Sequence, residues 1–243
     1  MRVYKFIEKR FALLALRERR LKIAQLTGLN DPFEMLPFDF SDRATRLAVE
    51  MTVPELAEKA GWVCFSGTWA NPVVWAHYAD QHRGLCLGFD VPDRFCKAIT
   101  YIEEREPFPD LMTLNHADKL AAVNAMLFTK FADWRYENEI RVTVRLDPDT
   151  KTNGMFFKEF AADLKLTEII VGIRSQTCRR EIEAAVAREF DSVDIIRAQA
   201  AVDRFAIVAS GDPVRNHDDL RYYLRRSDAL HPVEFYREPE TTA

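Results

Sequence analysis

Two carboxylates separated by one residue, Glu137 and Glu139, lie in Trp134-Arg135-Tyr136-Glu137-Asn138-Glu139-Ile140-Arg141, the stretch of this chain best equipped for chemistry. In an extended strand, residues two apart share a face. Like charges at that spacing raise one another's pKa unless an arginine or a solvent cavity compensates, and such a pair can divide an acid or charge-stabilising role from a hydrogen-bonding one. The other use of the same residues is as surface ion pairs with Arg135, Arg141 or Arg145, which stabilise little.

Two further constellations carry suitable groups. Asn30-Asp31-Pro32-Phe33-Glu34 joins side chains that brace backbone amides to a proline that fixes the turn, in a short loop dense in polar groups. The same residue types also make ordinary structural turns. Trp75-Ala76-His77-Tyr78-Ala79-Asp80-Gln81-His82 concentrates aromatic and imidazole rings. His77 and His82 are five apart, about 140° around an ideal helix, so they do not form the one-faced pair that zinc requires. Cys64, Cys86, Cys96 and Cys178 show no CxxC spacing, and reduced cysteines in apolar surroundings are expected.

The elements that must position these groups read as a mix of segregated strands and helices, not as an alternating doubly wound pattern. Strands are expected at Val3–Ile7, Leu21–Gln25, Trp62–Ser66, Leu85–Phe89, Ala98–Glu103, Ile140–Leu146, Met155–Phe160, Glu168–Val171, Val193–Arg197 and Arg204–Ala209. Helices are expected at Glu8–Arg20, with Phe11, Leu14, Ala15 and Leu16 inward, at Asp42–Met51, from Val53-Pro54-Glu55 to Gly61, at Pro72–Gln81, from Asn115 to Lys130, and at Thr177–Phe190. In Ile140–Leu146 the alternation predicts one buried face and a second that presents Arg141, Thr143 and Arg145. Strands and helices in this mixture indicate an α+β domain over residues 1–210, followed by a polar tail or appended helix at 211–243. In that tail Arg221–Arg226 reads as an exposed amphipathic helix docked on the domain.

The formal charge of -4 gives no global attraction to phosphate backbones, so bulk nucleic-acid binding is not expected. The apolar run Phe11–Leu16 is far too short for a membrane span or a typical signal peptide, and a cytoplasmic protein without membrane partners is expected.

Taken together, Tyr4-Lys5-Phe6, Asn30 to Glu34, Cys64-Phe65-Ser66, residues 72–90 and Trp134 to Arg141 resemble the bacterial domain of unknown function 2971 family, over the span from the N-terminus to about Gly172. More distantly, the order Lys5, Ser66-Gly67-Thr68, Glu137-Asn138-Glu139 resembles the arginine-type ADP-ribosyltransferase superfamily, which carries a basic residue, a Ser-Thr-Ser-like motif and a Glu-x-Glu motif in that order. Lys5 stands where Arg or His is usual, Gly67 interrupts the second motif, and the long helix before Glu137 is not required by the pattern.

The second resemblance implies two small, twisted, mainly antiparallel sheets forming a cleft flanked by helices, NAD as substrate and no metal. It also implies roles. Glu139 would face the ribose as positive charge builds on it, and Glu137 would orient the acceptor nucleophile. Ser66 would hold Glu139 or the ribose, and Lys5, with Tyr4 beside it, would meet the pyrophosphate or the adenine ribose. Tyr78 or Trp75 would stack on nicotinamide, with His77 in the same segment and Asn30 and Asp31 at the rim. The acceptor, macromolecule or small molecule, is unspecified, as is any use as a toxin or in defence against phage. Two rival expectations use the same residues: a non-catalytic module that binds a nucleotide or protein, and a hydrolase or nuclease with Asp31, Glu137 and Glu139 around magnesium.

Overall fold

The computed structural model describes residues 1–110, 113–186 and 192–216. From the N-terminus the chain runs through β1 (Arg2–Ile7), α1 (Lys9–Glu18), β2 (Arg20–Lys22), β3 (Ala24–Gln25), α2 (Arg43–Lys59) and β4 (Ala60–Ser66). It continues through α3 (Pro72–Tyr78), β5 (Leu85–Asp90), β6 (Cys96–Ala98), β7 (Thr100–Ile102), α4 (His116–Phe128), β8 (Thr129–Phe131) and β9 (Glu139–Arg145). Then follow β10 (Phe157–Glu159), β11 (Lys165–Val171), α5 (Arg179–Val186), β12 (Asp194–Ala200) and β13 (Ile207–Ala209). This is an α+β fold. No helix among the described residues is long and apolar enough to cross a membrane.

Local sequence explains where several elements start and stop. Asn71 caps α3 by accepting from the Val73 amide at 2.9 Å, and Pro72 occupies the first turn, where a missing N–H costs nothing. Asn115 caps α4 in the same way, accepting from Asp118 at 3.0 Å. After α3, Asp80, Gln81 and His82 all adopt positive φ, which returns the chain at once to β5. Gly84 closes that turn because a Cβ there would lie 2.3 Å from the Ile7 carbonyl. The two helices expected at 42–51 and 53–61 are one, α2, with Pro54 inside it. On α1 the buried residues are Ala12 and Leu16, while Phe11 and Leu14, expected inward, are exposed.

The main sheet has nine strands, in the order β13-β12-β11-β5-β1-β4-β9-β6, with β3 added alongside β4. All its pairings are antiparallel except β11 with β12. One face carries the largest core, in which Val3, Val63, Phe65, Leu85, Leu87, Ile140 and Ile169 meet Leu16 of α1 and Ile182 of α5. The apolar residues off this core gather in two smaller clusters, one around Phe6, Trp75 and Ile170, the other around Trp62, Ile99 and Phe128. Val214 belongs to the main core, and the Arg179 amide donates to the Arg215 carbonyl at 3.2 Å, so residues 211–216 pack with the domain that the sequence closes at 210. The remainder of the tail, with Arg221–Arg226, lies outside the described residues.

The sheet is nearly parted at one seam. Strand β1 pairs with β5 over six residues and β4 with β9 over seven, whereas β1 and β4 share the single pair Tyr4 and Ser66. Past that pair the strands separate, and the Lys5 ammonium bridges the gap by donating to the Cys64 carbonyl at 2.9 Å. A cavity opens at this fork.

Candidate active site

The cavity encloses about 260 Å³ and is walled by Tyr4, Phe6, Leu29, Phe65, Val74 and Tyr78, with polar groups converging at one end. Apolar walls with a few placed polar groups are the usual make-up of a small-molecule site. Strand β9 supplies two of those groups. Its register sets Glu139 opposite Ser66 and Arg141 opposite Cys64, so these four side chains share one sheet face while Ile140 and Val142 enter the main core on the other.

Arg141 does not present itself to solvent, as the alternation suggests, but is 1% exposed. The last turn of α4 covers it: Arg141 Nη1 donates to the Leu127 carbonyl at 2.8 Å, and its guanidinium lies 5.6 Å from the centre of the Trp62 ring. Glu137 is not in a strand either. It ends a 3-10 turn, and Asn138, at φ 45°, swings the chain before β9 begins, so strand periodicity does not bring Glu137 and Glu139 together. Lys130 does. It sits in β8, two residues beyond a helix that the sequence pattern extends through it.

The Lys130 ammonium is 2.7 Å from Glu137 Oε2, 2.9 Å from Glu139 Oε2 and 3.4 Å from Glu34 Oε1. Arg141 Nε is 2.8 Å from Glu139 Oε1, and its Nη2 is 2.8 and 2.9 Å from the two oxygens of Glu34. Glu34, Arg141, Glu139 and Lys130 thus close a ring of alternating charge. Glu137 hangs from that ring at Lys130. The Tyr78 hydroxyl donates to Glu137 Oε1, and Asn30 Nδ2 donates to the Tyr78 hydroxyl at 2.7 Å. The Glu139 amide donates to Tyr101 Oη at 2.8 Å, which fixes the start of β9.

The ring sets the charge states. Burial works to keep Glu139 neutral, but the hydrogen bond and charge of Arg141, followed by Lys130, outweigh it and hold the carboxyl down at about 2. Burial raises Glu34 above its ordinary value despite Arg141 and Lys130. For Lys130, burial is overcome by Glu139 and Glu137, and its pKa rises. Burial and then Glu139 push the Cys64 thiol up to about 12, so it is no ready nucleophile. Tyr78 is raised by burial and by its bond to Glu137, and stays a phenol.

Of the residues singled out in the sequence, Tyr4, Lys5, Asn30, Ser66, Tyr78, Glu137 and Glu139 all line this cavity. Three do not. Trp75 is fully buried, with its indole N–H donating to the Trp69 carbonyl at 2.7 Å and its ring edge-on to Phe6, so it packs the core and does not face a ligand. His77 is on the exposed side of α3, with its ring 5.7 Å from that of Tyr136. Asp31 is buried and braces its own loop, with Oδ1 accepting from the Phe33 amide at 2.9 Å. It stands apart from Glu137 and Glu139, and among the described residues no three His, Cys, Asp or Glu side chains are grouped to hold a metal ion.

Sequence reasoning names Glu34 only as part of the Asn30–Glu34 loop and Arg141 only as a surface ion-pair partner of the glutamates, and it misses Lys130 altogether. Arg141 lies two residues from Glu139 on one strand, which is the signal that places it there. Lys130 gives none, because its apolar neighbours continue the period of α4. No family model, curated protein or solved structure matches the chain.

Proposed function

We propose that the cavity at the seam is the active site of an NAD-dependent, ADP-ribosyltransferase-like enzyme that cleaves the nicotinamide-ribose bond. One observation carries this reading: Lys5, Ser66 and Glu139, on three strands well separated in sequence, line one cavity with Glu137 beside them. In place of the two separate small sheets that the resemblance implies, the strands form one nine-stranded sheet, and in this reading the seam between β1 and β4 serves as the cleft.

The residue types suit the chemistry. As the carbon-nitrogen bond breaks, its electron pair leaves with nicotinamide, which becomes neutral, and positive charge spreads over the ribose. A nucleophile then bonds to the ribose carbon and gives up its proton. Glu139, ionised at any pH above about 2, meets the ribose charge. Lys5, whose ammonium is held among the described residues by a backbone carbonyl, would meet the diphosphate, and Ser66 lies next to Glu139 across the strand pair. The cavity is near the lower limit of about 300 Å³ for small-molecule sites, which suits the nicotinamide riboside end of the dinucleotide.

A second reading, a module that binds a nucleotide without turning it over, is favoured by the full engagement of both carboxylates. Each oxygen of Glu137 and of Glu139 already has a partner. A magnesium centre on Asp31, Glu137 and Glu139 draws no such support, because the Lys130 ammonium already stands between the two glutamates.

Nicotinamide release followed by NMR tests the proposal, with the wild-type chain and Glu139→Gln compared with and without cell lysate as acceptor. Release by the wild type, lost in the variant while NAD still raises its melting temperature, is the expected result. Silence from folded wild type in lysate overturns it in favour of the binding module.

A further inference from the structure

Besides Lys5, five ionic groups meet at the site, and four of them come from one stretch of chain, residues 130–141. The fifth, Glu34, comes from a loop about a hundred residues away in sequence, and it is the one group that closes the ring. Its contacts are uneven. Both of its oxygens are within 2.9 Å of Arg141 Nη2, whereas Lys130 is 3.4 Å away. The other edge of the same guanidinium rests on Glu139, at 2.8 Å through Nε and 3.2 Å through Nη2. Arg141 is therefore held between two carboxylates that both line the cavity, Glu139 from the sheet and Glu34 from the loop.

We propose that Glu34 is a positioning residue which orients the Glu139 carboxylate by fixing the guanidinium of Arg141. A single planar fork can present Nε and Nη2 to Glu139 in only a narrow range of orientations, and the grip on Nη2 selects one of them. Without Glu34, Arg141 keeps the Leu127 carbonyl as a contact at Nη1 and becomes free to tilt about it. The same loop reaches the second carboxylate from its other end, since Asn30 holds the Tyr78 hydroxyl that donates to Glu137. Residues 30–34 thus brace both glutamates at once, each through one intermediary.

A purely structural role is a poor account of this arrangement. Buried ion pairs are seldom better for stability than apolar side chains of the same volume, and this ring lines a cavity instead of filling a core. Placing Glu34 on the far side of Arg141 makes sense where the direction of the Glu139 oxygens matters.

The kinetic half of the test rests on the transferase reading, and the spectroscopic half does not. In 15N-labelled protein the Arg141 Nε–H resonance, assigned by its loss in Arg141→Lys, should be sharp and slow to exchange with water. Glu34→Gln is expected to speed that exchange at least tenfold while the backbone amide spectrum away from the site stays unchanged. Glu34→Asp keeps the charge at shorter reach, and should give a smaller effect in the same direction even if the amide variant does not fold. In nicotinamide release, kcat should fall tenfold or more in Glu34→Gln with little change in KM, and Glu34→Asp should recover part of it. Unaltered Nε–H exchange in both variants overturns the proposal, as does normal kcat in a variant whose Nε–H has loosened. A silent wild type would instead defeat the transferase reading, leaving the exchange measurement to decide the role of Glu34.

Discussion

Lys130 Nζ lies 2.7 Å from Glu137 Oε2 and has Glu139 and Glu34 within reach on its other sides, so one buried ammonium serves three carboxylates. Arg141 shares two of them. Taking Lys130 away leaves Glu34 and Glu139 to a single guanidinium and Glu137 with no cationic partner among the described residues. Lys130→Met is therefore expected to cost about 3–5 kcal/mol in urea unfolding. The deficit should shrink from about pH 8 to about pH 5, because the orphaned carboxyls can relieve their repulsion by taking up a proton. A loss independent of pH would mean that Lys130 acts by packing its stem.

Glu139 gives the acid side of the stability curve its sign. Its folded pKa of about 2 is below the ordinary 4.5, so its stabilisation is complete above 4.5 and disappears as pH falls towards 2. The whole effect is on the order of 3 kcal/mol. Glu34 runs the other way: raised in the fold, it favours folding below its ordinary pKa and loses that contribution as pH rises through its folded value. Stability measured by denaturant between pH 2 and 5 should fall less steeply in Glu139→Gln than in wild type, and more steeply in Glu34→Gln. Parallel curves for all three would contradict the charge assignment.

Gly67, which interrupts the Ser-Thr-Ser-like motif, has a local cause. A Cβ there would lie 2.6 Å from Asn138 Nδ2, and the Gly67 amide donates to the Asn138 carbonyl at 2.8 Å. Asn138 is the residue between the two glutamates, held at positive φ. Gly67→Ala should cost about 1 kcal/mol in thermal unfolding, and Asn138→Gly, which removes the obstructing side chain at a position glycine favours, should recover most of it. Additive losses in the double variant would show that the two positions do not press on each other.

These contrasts show what could be read from the chain beforehand and what could not. Strands β1, β4, β5 and β9 were legible because β-branched, aromatic and aliphatic residues in short runs between turn formers leave little alternative. The pairing that turns them into a site was not, since nothing local announces that β1 and β4 meet at only one residue pair. Glu137 and Glu139 were found for an incomplete reason: their convergence depends on a turn at Asn138 and on Lys130, not on strand period. Alternation assigns Arg141 to the open face because it records which residues share a side, and is blind to the end of α4 and the Glu34 loop laid over that side.

Trp75 and Tyr78 illustrate the same limit, and their separate fates can be measured. Both are aromatic residues of α3 that the sequence offers as partners for a planar ring, yet only Tyr78 lines the cavity. Trp75→Ala empties a fully buried site against Phe6 and should cost about 3–5 kcal/mol. Tyr78→Phe keeps the ring and removes one hydroxyl, which leaves Glu137 Oε1 without its donor and Asn30 without its acceptor. About 1–2 kcal/mol is expected there. On the transferase reading, turnover should separate the two while both keep the melting-temperature shift produced by NAD: at a temperature where Trp75→Ala is still folded its turnover should match wild type, whereas Tyr78→Phe should lose turnover with the shift retained. A selective loss of the NAD response in Trp75→Ala, in protein shown to be folded, would return Trp75 to the ligand site and displace this account of α3.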